Sequence, residues 1–234
     1  MLAIYKREMR SYFTTPIGYI FCGVFLAVAA FLFCYTTLYA MSSDVTSFYS
    51  MLLLCFVVLL PLLTMKLFSE EKRQKTDQLL LTAPVSIWSV VLGKYFAAAT
   101  IFASVTCFSS LFFLILYAYA RVKTAVLLGN LLAVLLVGLA FLAVGIFVSS
   151  VTESQLSAAI VTIGVLVLFM GMSVVAELIA IPWIRFVFEC LSVWYRFQAF
   201  TQGIFDPAGL VYYLSVAGVF LFLTVRVLDR RRFA

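Results

Sequence analysis

The sequence predicts an all-α fold, a polytopic membrane helical bundle of six transmembrane helices with an N-terminal interfacial helix and short outer re-entrant or interfacial helices. Three observations predict it. Apolar residues make up 65% of the 234 residues and charged residues only 11%, and mean hydropathy is +1.17. Soluble domains carry about 45–50% apolar and about 25% charged residues, so a globule of this composition would expose patches large enough to aggregate. The apolar residues also fall in six long runs, each close to the roughly 20 residues that cross about 30 Å of hydrocarbon. Finally, the runs are continuous and do not alternate, which excludes the strands of a membrane barrel and leaves helices.

The elements follow in order. Residues 1–16 predict an interfacial helix and not a cleaved leader: Leu2, Tyr5, Met9, Tyr12 and Phe13 share one helical face, and Lys6, Arg7 and Arg10 the other. Thr15-Pro16 breaks this helix before the first span. Spans are predicted at residues 17–39, 48–67, 95–119, 125–148, 156–176 and 210–228. Pro61 is expected to kink the second. Gly138/Gly145 and Gly164/Gly171, each seven apart, are expected to mark close packing of spans four and five. Thr36, Thr37, Thr100, Ser104, Thr106, Ser109, Ser110 and Asn130 are expected to bond to helix carbonyls or neighbouring helices in preference to lining a path. Residues 177–207 are too charged to span and too apolar for a free loop. With Trp183, Trp194 and Tyr195 they predict one or two short helices at the outer interface. Asp206-Pro207 is an N-cap and N1 pair for the last span.

Charge sets the orientation. Twelve of the sixteen lysines and arginines fall on the side of the two termini, and the positive-inside rule puts both ends in the cytoplasm. The net charge of +6 reflects this anchoring and predicts contact with the lipid bilayer, not with nucleic acid. Inside the spans almost no charge is found; Lys66 lies at an end, where it can snorkel. The lack of an ionisable residue near mid-membrane argues against a proton- or sodium-coupled carrier.

Composition excludes several chemistries. Histidine is absent, which removes His-based acid–base catalysis and most zinc sites. The five cysteines, Cys22, Cys34, Cys55, Cys107 and Cys190, form no CxxC and predict neither a disulfide framework nor a metal site. No GxxxxGK[ST] occurs, because Gly93-Lys94 is followed by Tyr95. The chain is therefore expected to be no enzyme, with no catalytic residue and no cofactor. Any ATP-driven work needs a separate ATPase.

The connection at residues 69–94 is the longest on the cytoplasmic side and the most charged. Glu71/Lys75 and Arg73/Asp77 are i,i+4 pairs that predict a helix there. Leu79, Leu80 and Leu81 follow, then Thr82-Ala83-Pro84, a helix restart with proline near its first turn. The predicted shape is a short helix projecting from the membrane and turned back by the proline. An ordinary solvated loop is the alternative.

Four stretches carry a family resemblance: YKREMRSYFTTPIGYIF at 5–21, LFSEEKRQKTDQLLLTAPVSIWSVVLGKY at 67–95, LSVWYRFQAFTQGIFD at 191–206 and VRVLDRRRF at 225–233. Together with the span count, the chain resembles the ABC-2 type transporter permeases, in particular the short six-span branch associated with gliding motility and nitrous-oxide-reductase maturation. The resemblance implies one transmembrane domain over residues 1–234, the permease subunit of an ATP-driven exporter in a bacterial inner membrane. It implies a coupling helix that docks on a cytoplasmic ABC ATPase, matched here by Glu70, Glu71, Arg73, Thr76, Gln78, Leu79, Leu80, Leu81, Thr82 and Pro84, with Glu153 in a second, smaller contact. It also implies a second permease chain, as a homodimer or with a similar permease. The larger members' outer domain between spans one and two is replaced here by residues 40–47, so outer work falls to the outer helices or to an auxiliary outer-side membrane protein. A non-transporting scaffold that drives an outer partner with the same ATPase is the alternative reading.

Overall fold

The computed structural model describes residues 1–42, 44–73, 75, 86–119, 124–179, 181–201, 203 and 206–232. Among them the regular structure is helical. Helix α1 (Leu2–Thr14) precedes α2 (Pro16–Phe33), which continues as a π-helical segment (Cys34–Tyr39). Then come α3 (Val45–Thr64), α4 (Lys66–Arg73), α5 (Ile87–Ser110), α6 (Phe112–Tyr119), α7 (Thr124–Val151) and α8 (Gln155–Leu178). Two short helices, α9 (Pro182–Leu191) and α10 (Val193–Thr201), lead into α11 (Pro207–Arg232).

Among the described residues six helical stretches are long and apolar enough to cross a membrane: Pro16–Tyr39, Val45–Arg73, Ile87–Leu116, Thr124–Val151, Gln155–Leu178 and Pro207–Arg231. The chain is a multi-pass helical bundle. An even number of crossings leaves both termini at one end, called here the near end; α9 and α10 lie at the far end.

Local signals set the boundaries. Thr15 is extended (φ −97°, ψ 149°) and Pro16 opens α2, because proline at N1 lacks an N–H that would be orphaned anyway. The Asp206 carboxylate accepts from Ala208 N and Gly209 N at 3.0 and 3.1 Å and so caps α11. The helix carrying Pro61 does not break at the proline: α3 runs on to Thr64, and Met65, still αR (φ −55°, ψ −30°) with its N–H donating to Pro61 O at 2.8 Å, links it to α4 within one helical stretch.

Helix α7 is the central stave and packs on α3, α5, α8, α10 and α11. Gly138 and Gly145 permit this. A Cβ on Gly138 would collide with the Phe102 ring, and one on Gly145 with the Thr64 side chain. Gly164 and Gly171 behave otherwise, since a Cβ on either would meet nothing within 4 Å. The expectation of close packing therefore fails within the chain for span five, whose glycines face outward. Aromatic side chains fill the core between α2, α3 and α5. Phe56 and Phe102 meet edge-to-face at 5.2 Å, and Phe25 lies 5.8 Å from Phe56. Such pairs add about 0.5–1.5 kcal/mol beyond area burial.

Most of the span hydroxyls singled out from sequence bond to carbonyls of their own helices. Thr36 donates to Leu32 O, Thr100 to Phe96 O, Ser104 to Ile101 O and Thr106 to Phe102 O, at 2.7–2.8 Å. Ser109 and Ser110 do the same, and Asn130 Nδ2 donates to Val126 O on its own helix and to Thr201 O of α10. Thr37 Oγ1, Tyr49 Oη and Asn130 Oδ1 are buried with no partner among the described residues.

Candidate functional site

At the near end three helices meet around one ammonium group. Lys94 is the eighth residue of α5 and its side chain is 1% exposed. Nζ donates to Glu8 Oε1 of α1 at 3.1 Å, to Glu71 Oε1 of α4 at 2.9 Å and to Leu67 O at 2.7 Å. Its three N–H donors thus have three acceptors. The Phe68 ring centroid lies 5.1 Å from Nζ, a cation–π contact. Arg7 closes the group: one guanidinium nitrogen donates to both Glu8 Oε1 and Glu71 Oε1 at 2.9 Å. Two cations and two carboxylates make the cluster formally neutral. It lines a cleft of about 390 Å³ together with Ser11, Tyr12, Thr15, Lys66, Leu67 and Glu70.

Burial and charge compete at Glu8. Burial alone would raise its carboxyl, but Lys94 and Arg7 outweigh it and hold the group below its ordinary range. At Arg7 burial opposes the charged form, and Glu8 and Glu71 reverse the balance and raise the guanidinium further. Burial pushes the Tyr12 hydroxyl up; it donates to Leu63 O at 3.1 Å, fastening α1 to α3. Helix α1 also lies tightly on α5, where a Cβ on Gly93 would come within 3.0 Å of Ile4.

A second set of contacts ties α4 to α7. The first turn of any helix leaves N–H groups without intrahelical partners. Here the Ser149 hydroxyl, from α7, accepts from Phe68 N and Ser69 N at 3.1 and 3.2 Å and donates to Met65 O at 3.2 Å. At the other end of α4, Lys72 Nζ donates to Thr152 O at 3.3 Å.

The residues expected from sequence to couple to an ATPase are distributed as follows. Glu71 is in the cluster. Glu70 pairs with Lys66 at 3.7 Å, one turn earlier. Arg73 ends α4 and is exposed. Glu153 is exposed in the short connection between α7 and α8, next to the carbonyl that Lys72 reaches. Thr76, Gln78, Leu79, Leu80, Leu81, Thr82 and Pro84 lie outside the described residues. Two expectations are corrected. The helix does not run on to form an i,i+4 contact at Lys75, because α4 ends at Arg73 and Lys75 has φ +56°. Lys94 is not a residue of a charged loop but a buried group inside the third span.

Sequence reasoning missed Glu8, Lys94 and Ser149. The signal was present in the spacing. Glu8 sits three residues after Tyr5 and four before Tyr12, in the apolar stripe of α1. Lys94 falls in line with Ile87, Val90, Val91, Ala97, Ala98 and Ile101, which are all buried.

The family model described as ABC-2 family transporter protein matches residues 2–204, from α1 through the fifth span and the two short far-end helices. No curated protein matches the chain.

Proposed function

The chain belongs to the ABC-2 transporter family, and on that footing we propose that it couples ATP hydrolysis by a separate cytoplasmic ABC ATPase to export of a substrate across a bacterial inner membrane. Family membership makes it a membrane-embedded permease subunit, and such a subunit works with an ABC ATPase. The finer reading has the ATPase dock on the connection between spans two and three, with Glu153 as a smaller contact. Both termini are cytoplasmic, as the twelve basic residues on that side favour. Two permease chains enclose the pathway and two ATPases drive them.

The observation that carries this reading is the contact of Lys94 with Glu71 and Glu8. Glu71 lies in the last turn of α4, which enters the connection, and Lys94 two turns into α5, which leaves it. A push on the connection therefore moves α4 and α5 together, and α1 with them through Glu8 and Arg7. Ser149 and Lys72 pass the same displacement to α7 and to the short connection beyond it. Helix packing is close enough at Gly138 and Gly145 for α7 to transmit that motion to α5 and α3.

A second reading has one observation in its favour. The span hydroxyls bond to their own helix carbonyls, so within one chain they leave few polar groups to line a path. In that reading the ATPase moves the bundle, and the bundle moves an outer partner. Reconstitution with the ATPase separates the readings. Export requires ATP-dependent loss of substrate from one side of the vesicle. A mechanical role gives ATP-dependent movement of the far end with no flux.

A further inference from the structure

The far end holds a cation that coupling does not use. Arg196 lies in the middle of α10, and its setting is rigid. Val193, Phe197 and Phe200 on the same helix are at most 3% exposed, with α10 packed on α7 and α8. The Ser192 hydroxyl accepts from Tyr195 N at 3.2 Å, and the hydroxyls of Tyr212 and Tyr213 in α11 donate to Leu191 O and Val193 O at 2.6 and 2.9 Å. Yet the Arg196 Nε–H is buried with no acceptor among the described residues. Neighbouring charges are otherwise engaged. Arg185 pairs with Glu189 at 2.6 Å, and Asp206 caps α11 with both oxygens. No hydrogen bond or ion pair of the Arg196 guanidinium is made among the described residues, so the cation is left for an anion from outside the chain.

The surroundings select the anion. Helices α9 and α10 lie between the last residue of one span, Leu178, and the first of the next, Pro207, at the depth where a bilayer passes from hydrocarbon to headgroups. Trp183, Trp194 and Tyr195 are the ring types that settle there. Helix α9 buries none of its residues. Its Trp183, Phe186 and Val187, at i, i+3 and i+4, are 86%, 65% and 52% exposed and form an apolar ridge without protein cover. Only Ser192 separates that helix from α10.

We propose that Arg196 binds the phosphate of a membrane phospholipid, whose acyl chain lies along the Trp183–Phe186–Val187 ridge. The guanidinium fork offers parallel N–H donors that match two phosphate oxygens, and Arg does this where Lys, a point charge, does not. The headgroup depth and the uncovered apolar ridge on the adjoining helix α9 fit an amphiphile better than a soluble anion.

The test uses the full-length chain, delipidated in detergent and titrated with phosphatidylglycerol by native mass spectrometry. Arg196→Gln is expected to weaken retention about tenfold, the loss of one bidentate charge-assisted contact. Arg196→Lys should fall between, and Arg185→Gln, at the same end but already paired, should bind as wild type does. Diacylglycerol, with the chains and no phosphate, should not distinguish wild type from Arg196→Gln. Equal retention of phosphatidylglycerol by wild type and Arg196→Gln overturns the proposal. So does displacement of the lipid by millimolar inorganic phosphate, which would assign the site to a free anion. An Arg196-dependent doubling of mass in place of lipid binding would assign it to a second copy and also overturn it. Where Arg196→Gln does not remain folded, the Arg196→Lys comparison decides, and wild-type retention there refutes the fork.

Discussion

Lys94 Nζ lies 2.9 Å from Glu71 Oε1, so the helix that enters the charged connection is bonded to the helix that leaves it. Glu8 Oε1, 3.1 Å from the same ammonium, adds the N-terminal helix to the joint. A buried ion group of this kind is poor evidence for net stability, since desolvation offsets much of the Coulomb attraction. What it supplies is one geometry: the three ammonium hydrogens have three acceptors, one on α1 and two on α4.

Removing the cation should be costly. Lys94→Met leaves two carboxylates, Glu8 and Glu71, at the joint after its buried cation is removed. It is expected to destabilise the chain by about 3–5 kcal/mol, the usual cost of stranding a buried partner. Unfolding of the purified protein in detergent, wild type against variant, reads this directly.

Acid should loosen the same joint. The Glu8 carboxyl is held below its ordinary value of 4.5. Its stabilising contribution is therefore complete above that value and is lost as pH falls through the depressed one. The thermal midpoint should be flat from neutral pH down to about 5 and then drop. Glu8→Gln should start lower and show a shallower acid limb. A wild-type acid limb in that variant would assign the transition to other carboxylates.

Ser149 should matter more than a lone serine usually does. Ser149→Ala leaves the N–H groups of Phe68 and Ser69 without their acceptor at a buried helix start. The expected loss is about 2–3 kcal/mol. Hydrogen exchange should localise it, with faster exchange at the start of α4.

The two glycine pairs should separate. Gly138→Ala and Gly145→Ala press a Cβ onto Phe102 and Thr64 and are each expected to cost about 1–3 kcal/mol. Gly164→Ala and Gly171→Ala meet nothing within the chain and should stay within about 0.5 kcal/mol for the isolated chain.

Features set by neighbours in sequence were legible from the start. The six spans follow from length and apolarity. The Thr15-Pro16 break and the Asp206 cap depend on two or three adjacent residues, and all of them form as the sequence implies. The near-end joint was not legible, because it is made across the chain: Lys94 and Glu8 are 86 residues apart. Local charge patterning pointed Glu71 at Lys75, but Lys94, already inside the bundle, offers the stronger partner where water is scarce. A charge near the end of an apolar run reads as an anchor. Here the stripe through Val90, Val91, Ala97 and Ala98 carries Lys94 inward, and only the carboxylates supplied by α1 and α4 make that tolerable. Gly164 and Gly171 misled for the opposite reason, since a seven-residue spacing marks one face of a helix but not what that face meets.

The central claim is that force from an ATPase enters the bundle through Glu71 and Lys94, and one measurement tests it most directly. The chain and its ABC ATPase are reconstituted in proteoliposomes, and permease-stimulated ATP hydrolysis is compared for wild type and Glu71→Gln, with pull-down of the ATPase as the control for assembly. Glu71→Gln keeps the size of the side chain and removes its charge. The account predicts ATPase recovery within about twofold of wild type and stimulation reduced about tenfold or more, equivalent to at least 1.4 kcal/mol of lost coupling. Full stimulation by Glu71→Gln, with the ATPase bound as in wild type, would contradict it.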